Sequence, residues 1–228
     1  MRRFTVHYKI LLALTVTLIF VACRDSSRSS INNQASQPIA TPQPTPLIIP
    51  VSDGFDYPVG RKGYATEAKD GDGWYVAQDF GENNHLGEDW NAESGGDTDC
   101  GLPVYTASKG MLVFADEAGV GWGKVIIIRH RLLDGTIVET LYGHLQSFAK
   151  TLGEVGRREI IGNIGNANGD YPCHLHFELR FSDCAAWGLP GPGYSNNRAG
   201  WADPSDFIDA HRPAAVNSSS KVRRKKNQ

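Results

Sequence analysis

Two short segments of this 228-residue chain hold histidines at spacings that suit a metal ion. His85 and Asp89 lie four positions apart, and a single residue separates His174 from His176. Residues at even spacings share one face of a strand, so each pair can turn its side chains toward one ion. Neutral imidazoles and carboxylates are zinc ligands. Each segment alone also fits surface histidines, whereas together they predict a metal site.

Both pairs are expected on or beside strands. Alternation over residues 174–180 puts His174, His176 and Glu178 on one face and the apolar residues on the other. Glycines and asparagines surround His85 and disfavour a helix there. We therefore expect the first pair on a loop that leads into a strand.

Two further histidines follow strand-like runs. His144, in the segment Tyr142–Leu145, would be a structural histidine if it stood alone, but it joins the candidate site when the other two segments are considered. His130 ends an apolar run and falls on the face of Ile126 and Ile128. We assign His130 to packing.

Short strands must position these residues. Glycine-rich turns separate the apolar runs, and Asp134-Gly135 predicts a hairpin between two of them. A helix is expected only over Pro204–Ala210, where proline suits the first turn. The chain therefore predicts a mainly β domain. The predicted strands are Pro103–Tyr105, Gly110–Phe114, Lys124–His130, Thr136–Tyr142, Ile160–Ile164 and His174–Phe181.

The N-terminus predicts export. Arg2 and Arg3 precede an apolar run over 10–22, which is too short to span a bilayer and typical of a signal peptide. The run ends in a segment that resembles a bacterial lipobox, so we expect a lipoprotein signal peptide of 22 residues and an acylated Cys23. Phe20 is unusual in a lipobox, which leaves an ordinary cleaved signal peptide open. Several acyl chains would anchor the protein stably on the periplasmic side of a membrane or at the outer membrane.

The rest of the chain divides by composition. Residues 23–50 are rich in Ser, Asn, Gln, Thr and Pro and predict a disordered tether. Residues 51–211 form the folded domain, and 212–228 are a basic, solvated tail. The net charge of -2 gives no basis for a nucleic-acid partner. The dense basic run of the chain lies in this tail, for which adhesion to an anionic wall or lipid surface is the alternative.

Three cysteines follow Cys23, so at most one disulfide forms among them. A strand over 174–181 would hold Cys173 and Cys184 apart, which favours Cys100 with Cys173. The sequence alone leaves the pairing open.

The chemistry-bearing segments, taken in order, resemble the motifs of the lysostaphin-like zinc metallopeptidases. These are His85-x-x-x-Asp89, Tyr142-Gly143-His144-Leu145 and His174-Leu175-His176-Phe177-Glu178. The flanking sequence is also similar, over about 75–182. The resemblance implies a small antiparallel β-sheet or sandwich domain of the duplicated-hybrid-motif fold. It departs from the family at Glu88, where an aliphatic residue is usual.

The resemblance also implies the roles of the site residues. One zinc ion per chain would be held in a groove by His85, Asp89 and His176, with a fourth position open to water. His144 and His174 would supply the general base and the stabiliser of the oxyanion.

The activity implied is hydrolysis of the peptide cross-links of bacterial peptidoglycan by a monomeric zinc endopeptidase. One alternative is a catalytically silent regulator of cell-wall amidases, but such proteins have lost zinc ligands that are all present here. A cytoplasmic sugar-transport phosphocarrier shares the β architecture, and the signal peptide opposes it. A zinc-storage or adhesion lipoprotein would bind metal without turnover.

Overall fold

A computed structural model describes residues 47–60, 73–181 and 189–213. The predicted signal peptide, Cys23, nearly all of the tether, Cys184 and the end of the basic tail lie outside these residues. Within them, no helix is both long and apolar enough to cross a membrane.

In the part of the chain that the structure describes, ten strands form one antiparallel sheet, and a single short α-helix follows them. The prediction of a mainly β, antiparallel fold is confirmed. The elements are β1 Trp74–Gln78, β2 Glu88–Ala92, β3 Pro103–Tyr105, β4 Gly110–Glu117, β5 Lys124–Arg131, β6 Ile137–Phe148, β7 Gly153–Val155, β8 Ile160–Ile164, β9 Leu175–Arg180, β10 Trp201–Ala202 and α1 Pro204–Ala210.

The predicted strands all appear, two of them with the predicted bounds. The turn at Asp134-Gly135 joins β5 to β6, with Gly135 at a φ of 92° that glycine adopts without strain. Strand β6 runs past the predicted end at Tyr142 to Phe148. Helix α1 begins at Pro204 as expected, and the Asp203 side chain caps it by accepting from the backbone N–H of Asp206.

The sheet runs in the order β1-β2-β9-β6-β5-β4-β7, so β9 is an interior strand between β2 and β6. All six side chains of β9 are buried, because both faces of the sheet are covered here. One face packs into the main core around Trp90, Tyr142 and Phe177, and a smaller apolar cluster around Ile127 and Leu141 occupies the other. The predicted polar face of β9 is therefore buried, with His176 and Glu178 on it.

Glu88 ties the helix to the sheet. Its carboxylate is buried and accepts hydrogen bonds from the Trp90 indole at 3.0 Å and from the Ser205 hydroxyl at 2.9 Å. Burial raises the pKa of Glu88 to about 7. The residue where this chain departs from the family pattern thus joins β2 to α1.

A disulfide joins Cys100 to Cys173, with the two Cα atoms 5.3 Å apart. The pairing that the sequence favoured is confirmed. The bond connects the loop after β2 to the residue before His174, and the Cys173 N–H also donates to Asp97 at 2.8 Å. This connection holds the start of β9 in place.

Candidate metal centre

The register of three neighbouring strands brings the candidate residues together. Asp89 on β2 pairs with His176 on β9, and His176 pairs in turn with Gly143 on β6. His85 lies in the loop before β2, as expected, and His144 follows Gly143. Segments separated by up to 91 positions therefore meet around His176 of β9.

Three donor atoms form a small triangle. His85 Nε2 lies 2.9 Å from His176 Nδ1, which lies 3.0 Å from Asp89 Oδ1, and the remaining side from His85 Nε2 to Asp89 Oδ1 is 3.4 Å. Ligands about 2.0 to 2.1 Å from a tetrahedral zinc ion lie about 3.3 Å from one another. The side chains of His85 and His176 are almost fully buried, and that of Asp89 is 13% exposed. Donor set and spacing both fit zinc, and three protein ligands are typical of catalytic zinc.

Asp89 and His176 stabilise each other's charged forms. Burial disfavours the charged form of His176, but hydrogen bonds to Asp89 and Glu178 outweigh this effect and raise its pKa to about 9. Burial likewise opposes ionisation of Asp89, yet hydrogen bonds from His176 and His85 hold its pKa well below the usual range. Asp89 is therefore a carboxylate at neutral pH, as a metal ligand must be.

Tyr194 holds the His85 ring from one side. The two rings stack with centroids 4.9 Å apart and planes at 27°, and the Tyr194 hydroxyl donates to Gln78 at 2.8 Å. The loop that carries Tyr194 is fastened by the Leu86 N–H, which donates to the Gly193 carbonyl at 2.9 Å. His85 Nδ1 is buried and has no hydrogen-bond partner among the described residues. Stacking, rather than a hydrogen bond to Nδ1, thus orients this ring.

A β-bulge aims His144 at the triangle. The pairing of β5 with β6 slips by one residue here, and His144 has a φ of 60°. A bulge of this kind redirects a side chain. The Trp122 carbonyl accepts from the His144 backbone N–H at 3.0 Å and lies 3.2 Å from Nδ1. With a proton on Nδ1, the lone pair of Nε2 is free.

The environment of His144 keeps the ring neutral. Burial and the neighbouring His176 and His174 lower its pKa to about 3. Its ring centroid lies 4.7 Å from that of His174 and 5.4 Å from that of His176.

His174 offers a second free nitrogen. It lies just before β9, and its Nδ1 is 2.9 Å from the Pro172 carbonyl, which fixes the proton on Nδ1. Its Nε2 lies 3.7 Å from Asp89 Oδ2. Two imidazoles with available Nε2 atoms therefore stand next to the three-donor triangle.

The triangle opens into a cavity of about 330 Å³. Asp89, His144, His174 and His176 line it, while His85 lies beneath its surface. A larger cavity of about 620 Å³ lies elsewhere and contacts none of the candidate residues, so we assign the chemistry to the smaller groove. The groove walls include Val120, Trp122, Tyr171, Pro192 and Tyr194.

Sequence reasoning missed the aromatic walls. Trp122 supplies the carbonyl that holds His144 and packs its ring edge-on against His176 at 5.2 Å. Tyr171 lies 5.1 Å from the His144 ring, and Tyr194 stacks on His85. Tyr171 is three positions from His174, and this short separation could have predicted that Tyr171 lies beside the site. His130, by contrast, is buried away from the groove and bonded to Thr140 Oγ1 at 2.8 Å, which confirms its assignment to packing.

Comparisons with known proteins identify the domain. Residues 83–186 match Peptidase family M23, so this part of the chain is a domain of that family. The resemblance read from the motifs is confirmed.

Individual relatives match over shorter segments. The chain is 35% identical over 98 residues to the DD-carboxypeptidase/endopeptidase Mpg of Neisseria meningitidis serogroup B, a match that covers 43% of this chain and 20% of the relative. It is 30% identical over 83 residues to the cell division protein DipM of Caulobacter vibrioides, covering 36% and 13%. The structure of the antimicrobial peptidase lysostaphin from Staphylococcus simulans aligns with a TM-score of 0.43 at 22% identity, covering 68% of this chain and 55% of that one. The match thus spans about a fifth or less of each curated relative's length.

Proposed function

We propose that this protein is a zinc-dependent endopeptidase that hydrolyses the peptide cross-links of bacterial peptidoglycan. The observation that carries the proposal is the triangle of His85, Asp89 and His176, whose sides of 2.9 to 3.4 Å match one face of a zinc tetrahedron. The same residues would hold one zinc ion per chain.

When bound, the zinc ion supplies Lewis acidity, which acidifies a coordinated water and polarises the carbonyl of the peptide bond. The chain itself supplies the groups that move protons. His144 and His174 both keep their Nδ1 protons on backbone carbonyls, so both present Nε2 to the groove. As a pair they would serve as general base, a role that contributes about 10²- to 10⁴-fold, and as stabiliser of the oxyanion, which contributes about 10²- to 10³-fold.

The shape of the groove supports a peptide substrate. Its walls come from loops on a rigid sheet, and half-exposed Tyr171 and Tyr194 offer flat surfaces to an extended chain. Membership of a peptidase family, and a relative named as a DD-carboxypeptidase/endopeptidase, favour peptidoglycan peptides as the substrate class.

The proposed location follows from the sequence of the N-terminus. We propose that the protein is exported and anchored in the cell envelope through an acylated Cys23, with residues 23–50 as a tether to a monomeric domain over 51–211. Such an anchor would place the groove next to the wall. Metabolic labelling with a fatty-acid analogue tests the anchor, and a Cys23→Ser variant should lose the label and leave the membrane fraction.

The activity is tested with an isosteric substitution. Asp89→Asn keeps the shape of the side chain and removes its charge, so we expect it to lose zinc and to lose cleavage of purified, cross-linked peptidoglycan by at least 10²-fold. Asp116→Asn makes the same change at an exposed position on β4 and is the matched control, which should behave like the wild type.

Two outcomes would contradict the proposal. If Asp89→Asn cleaves as fast as the wild type, Asp89 is not part of the catalytic centre. If the wild type binds zinc stoichiometrically and cuts no wall preparation, the protein does not hydrolyse peptidoglycan cross-links. A regulator of cell-wall amidases then explains the domain better.

A further inference from the structure

A buried carboxylate lies directly behind His176. Glu178 Oε1 is 3.0 Å from His176 Nε2, on the side of the ring away from Asp89, and Glu178 is fully buried. Residues two apart on a strand share a face, so β9 places the carboxylate and the imidazole side by side. Glu178 therefore contacts His176 without belonging to the three-donor triangle.

We propose that Glu178 is a positioning residue of the metal centre, which holds His176 in the tautomer and ring orientation that turn Nδ1 toward Asp89 and His85. This inference rests on the zinc site of the proposed function. A proton on Nε2, donated to the carboxylate, leaves the lone pair on Nδ1. Carboxylates behind a ligating histidine fix its tautomer and raise its basicity, and their loss commonly weakens metal binding 10- to 100-fold.

Glu178 is itself held by two neighbouring groups, one on its own strand and one on β10. Its second oxygen, Oε2, accepts from the Trp201 indole N–H at 2.9 Å and lies 3.5 Å from Arg180 Nε. Arg180 in turn donates through Nη1 to the Pro190 carbonyl at 2.6 Å. The carboxylate therefore cannot turn away from His176 without losing these contacts. Strand β10 and the loop near Pro190, which carry none of the motifs, take part in positioning the metal ligand.

These donors make Glu178→Gln a sharp test. Trp201 and Arg180 are both donors, so the amide oxygen of a glutamine at this position would face them and its NH₂ group would face His176. His176 would then accept at Nε2 and carry its proton on Nδ1. The substitution thus reverses the tautomer and blocks the atom that should bind the metal.

Glu139 provides a matched control. It is a fully buried glutamate on the neighbouring strand β6, directly opposite Arg180, and its Oε1 accepts from Arg129 Nε at 2.8 Å. It does not contact His176. Glu139→Gln therefore removes the same charge from the same buried face and leaves the partner of His176 in place.

The measurement is the zinc dissociation constant of the full chain, obtained by competition with a chromogenic chelator. We expect Glu178→Gln to bind zinc 10- to 100-fold more weakly than the wild type, and Glu139→Gln to stay within about threefold of it. Trp201→Phe, which keeps the carboxylate but removes one of its donors, should give an intermediate loss. In metal-free Glu178→Gln, ¹⁵N spectra at a pH where His176 is neutral should show its proton on Nδ1.

Wild-type zinc affinity in a folded Glu178→Gln variant would overturn the inference, as would an equal loss in Glu139→Gln. If Glu178→Gln does not fold, an unchanged zinc affinity in Trp201→Phe would overturn it instead. The proposed reaction fails separately, because a wild type that binds zinc and cuts nothing refutes the peptidase and leaves the role of Glu178 in zinc binding intact.

Discussion

His144 stands on a backbone conformation that few residues other than glycine adopt, with a φ of 60°. We expect His144→Gly to be more stable than His144→Ala, although both variants lose the imidazole. In an ordinary strand the order is the reverse, because glycine loses more backbone entropy on folding. The comparison therefore tests the backbone of the bulge separately from the side chain.

The size of the effect follows from two opposing contributions. The left-handed conformation costs a residue with a Cβ atom about 1 to 2 kcal/mol. The extra backbone entropy of glycine offsets about 0.5 to 1 kcal/mol of this gain. We expect a net difference of about 1 kcal/mol in the free energy of unfolding, which is a shift of about 2 to 4 °C in Tm for a domain of this size.

The assay is thermal unfolding of both variants with a chelator present, so that zinc binding does not contribute to stability. Both variants should also lose cleavage by 10²- to 10⁴-fold, because neither can move a proton at position 144. An alanine variant as stable as the glycine variant would contradict this prediction. It would mean that the backbone at this position is not left-handed, and that the bulge does not deliver His144 to the groove.

Three further predictions concern the frame of the domain. Burial lowers the pKa of His130 to about 4, below its unfolded value near 6.5. The neutral ring therefore contributes about 3 kcal/mol to the free energy of unfolding above pH 6.5, and this contribution is lost as the pH falls toward 4. In urea unfolding, the stability of His130→Gln should fall less steeply with acid than that of the wild type, and an equally steep fall would contradict this. Replacing Cys100 and Cys173 by serine opens a cross-link over 73 positions and should lower the urea midpoint by the equivalent of about 4 kcal/mol, whereas an unmoved midpoint would show that the bond does not form. Gly165→Ala would place a Cβ atom 2.5 Å from the His144 carbonyl, so we expect a loss of about 1 to 3 kcal/mol together with lower cleavage, and a variant with wild-type Tm and activity would count against this packing.

The strands and the convergence of the candidate residues could be predicted because they depend on local patterns. A continuous apolar run marks β5, alternating apolar residues mark β9, and Asp134-Gly135 marks the turn after β5. The residues of the triangle stand out because their segments occur together in one chain, whereas each segment alone is a weak signal. Once β2, β9 and β6 are neighbours, the even spacing of His174 and His176 leads to the observed meeting.

Other parts of the site depend on contacts that leave no periodic signal. The bulge at His144 inserts one extra residue into β6. It interrupts the alternation of period two, so the sequence pattern predicts the end of the strand there. The carbonyl that holds His144 belongs to Trp122, 22 positions away, and the stacking of Tyr194 on His85 joins residues about a hundred positions apart. The presence of a glutamate at position 88 is likewise explained only by its hydrogen bond from Ser205 of α1. Such pairs are specified by the folded register rather than by neighbouring residues.

We propose that His85, Asp89 and His176 hold a zinc ion that enables cleavage of wall peptides. The most direct test is the mass spectrum of cross-linked peptidoglycan fragments after incubation with the purified protein, first stripped with a chelator and then resupplied with one equivalent of zinc, alongside a His176→Ala variant. We predict that cross-linked fragments disappear only when the wild type has been resupplied with zinc, and that the new chain ends identify the bond. Cleavage by the stripped wild type or by His176→Ala at the wild-type rate would contradict a zinc-dependent reaction at this site.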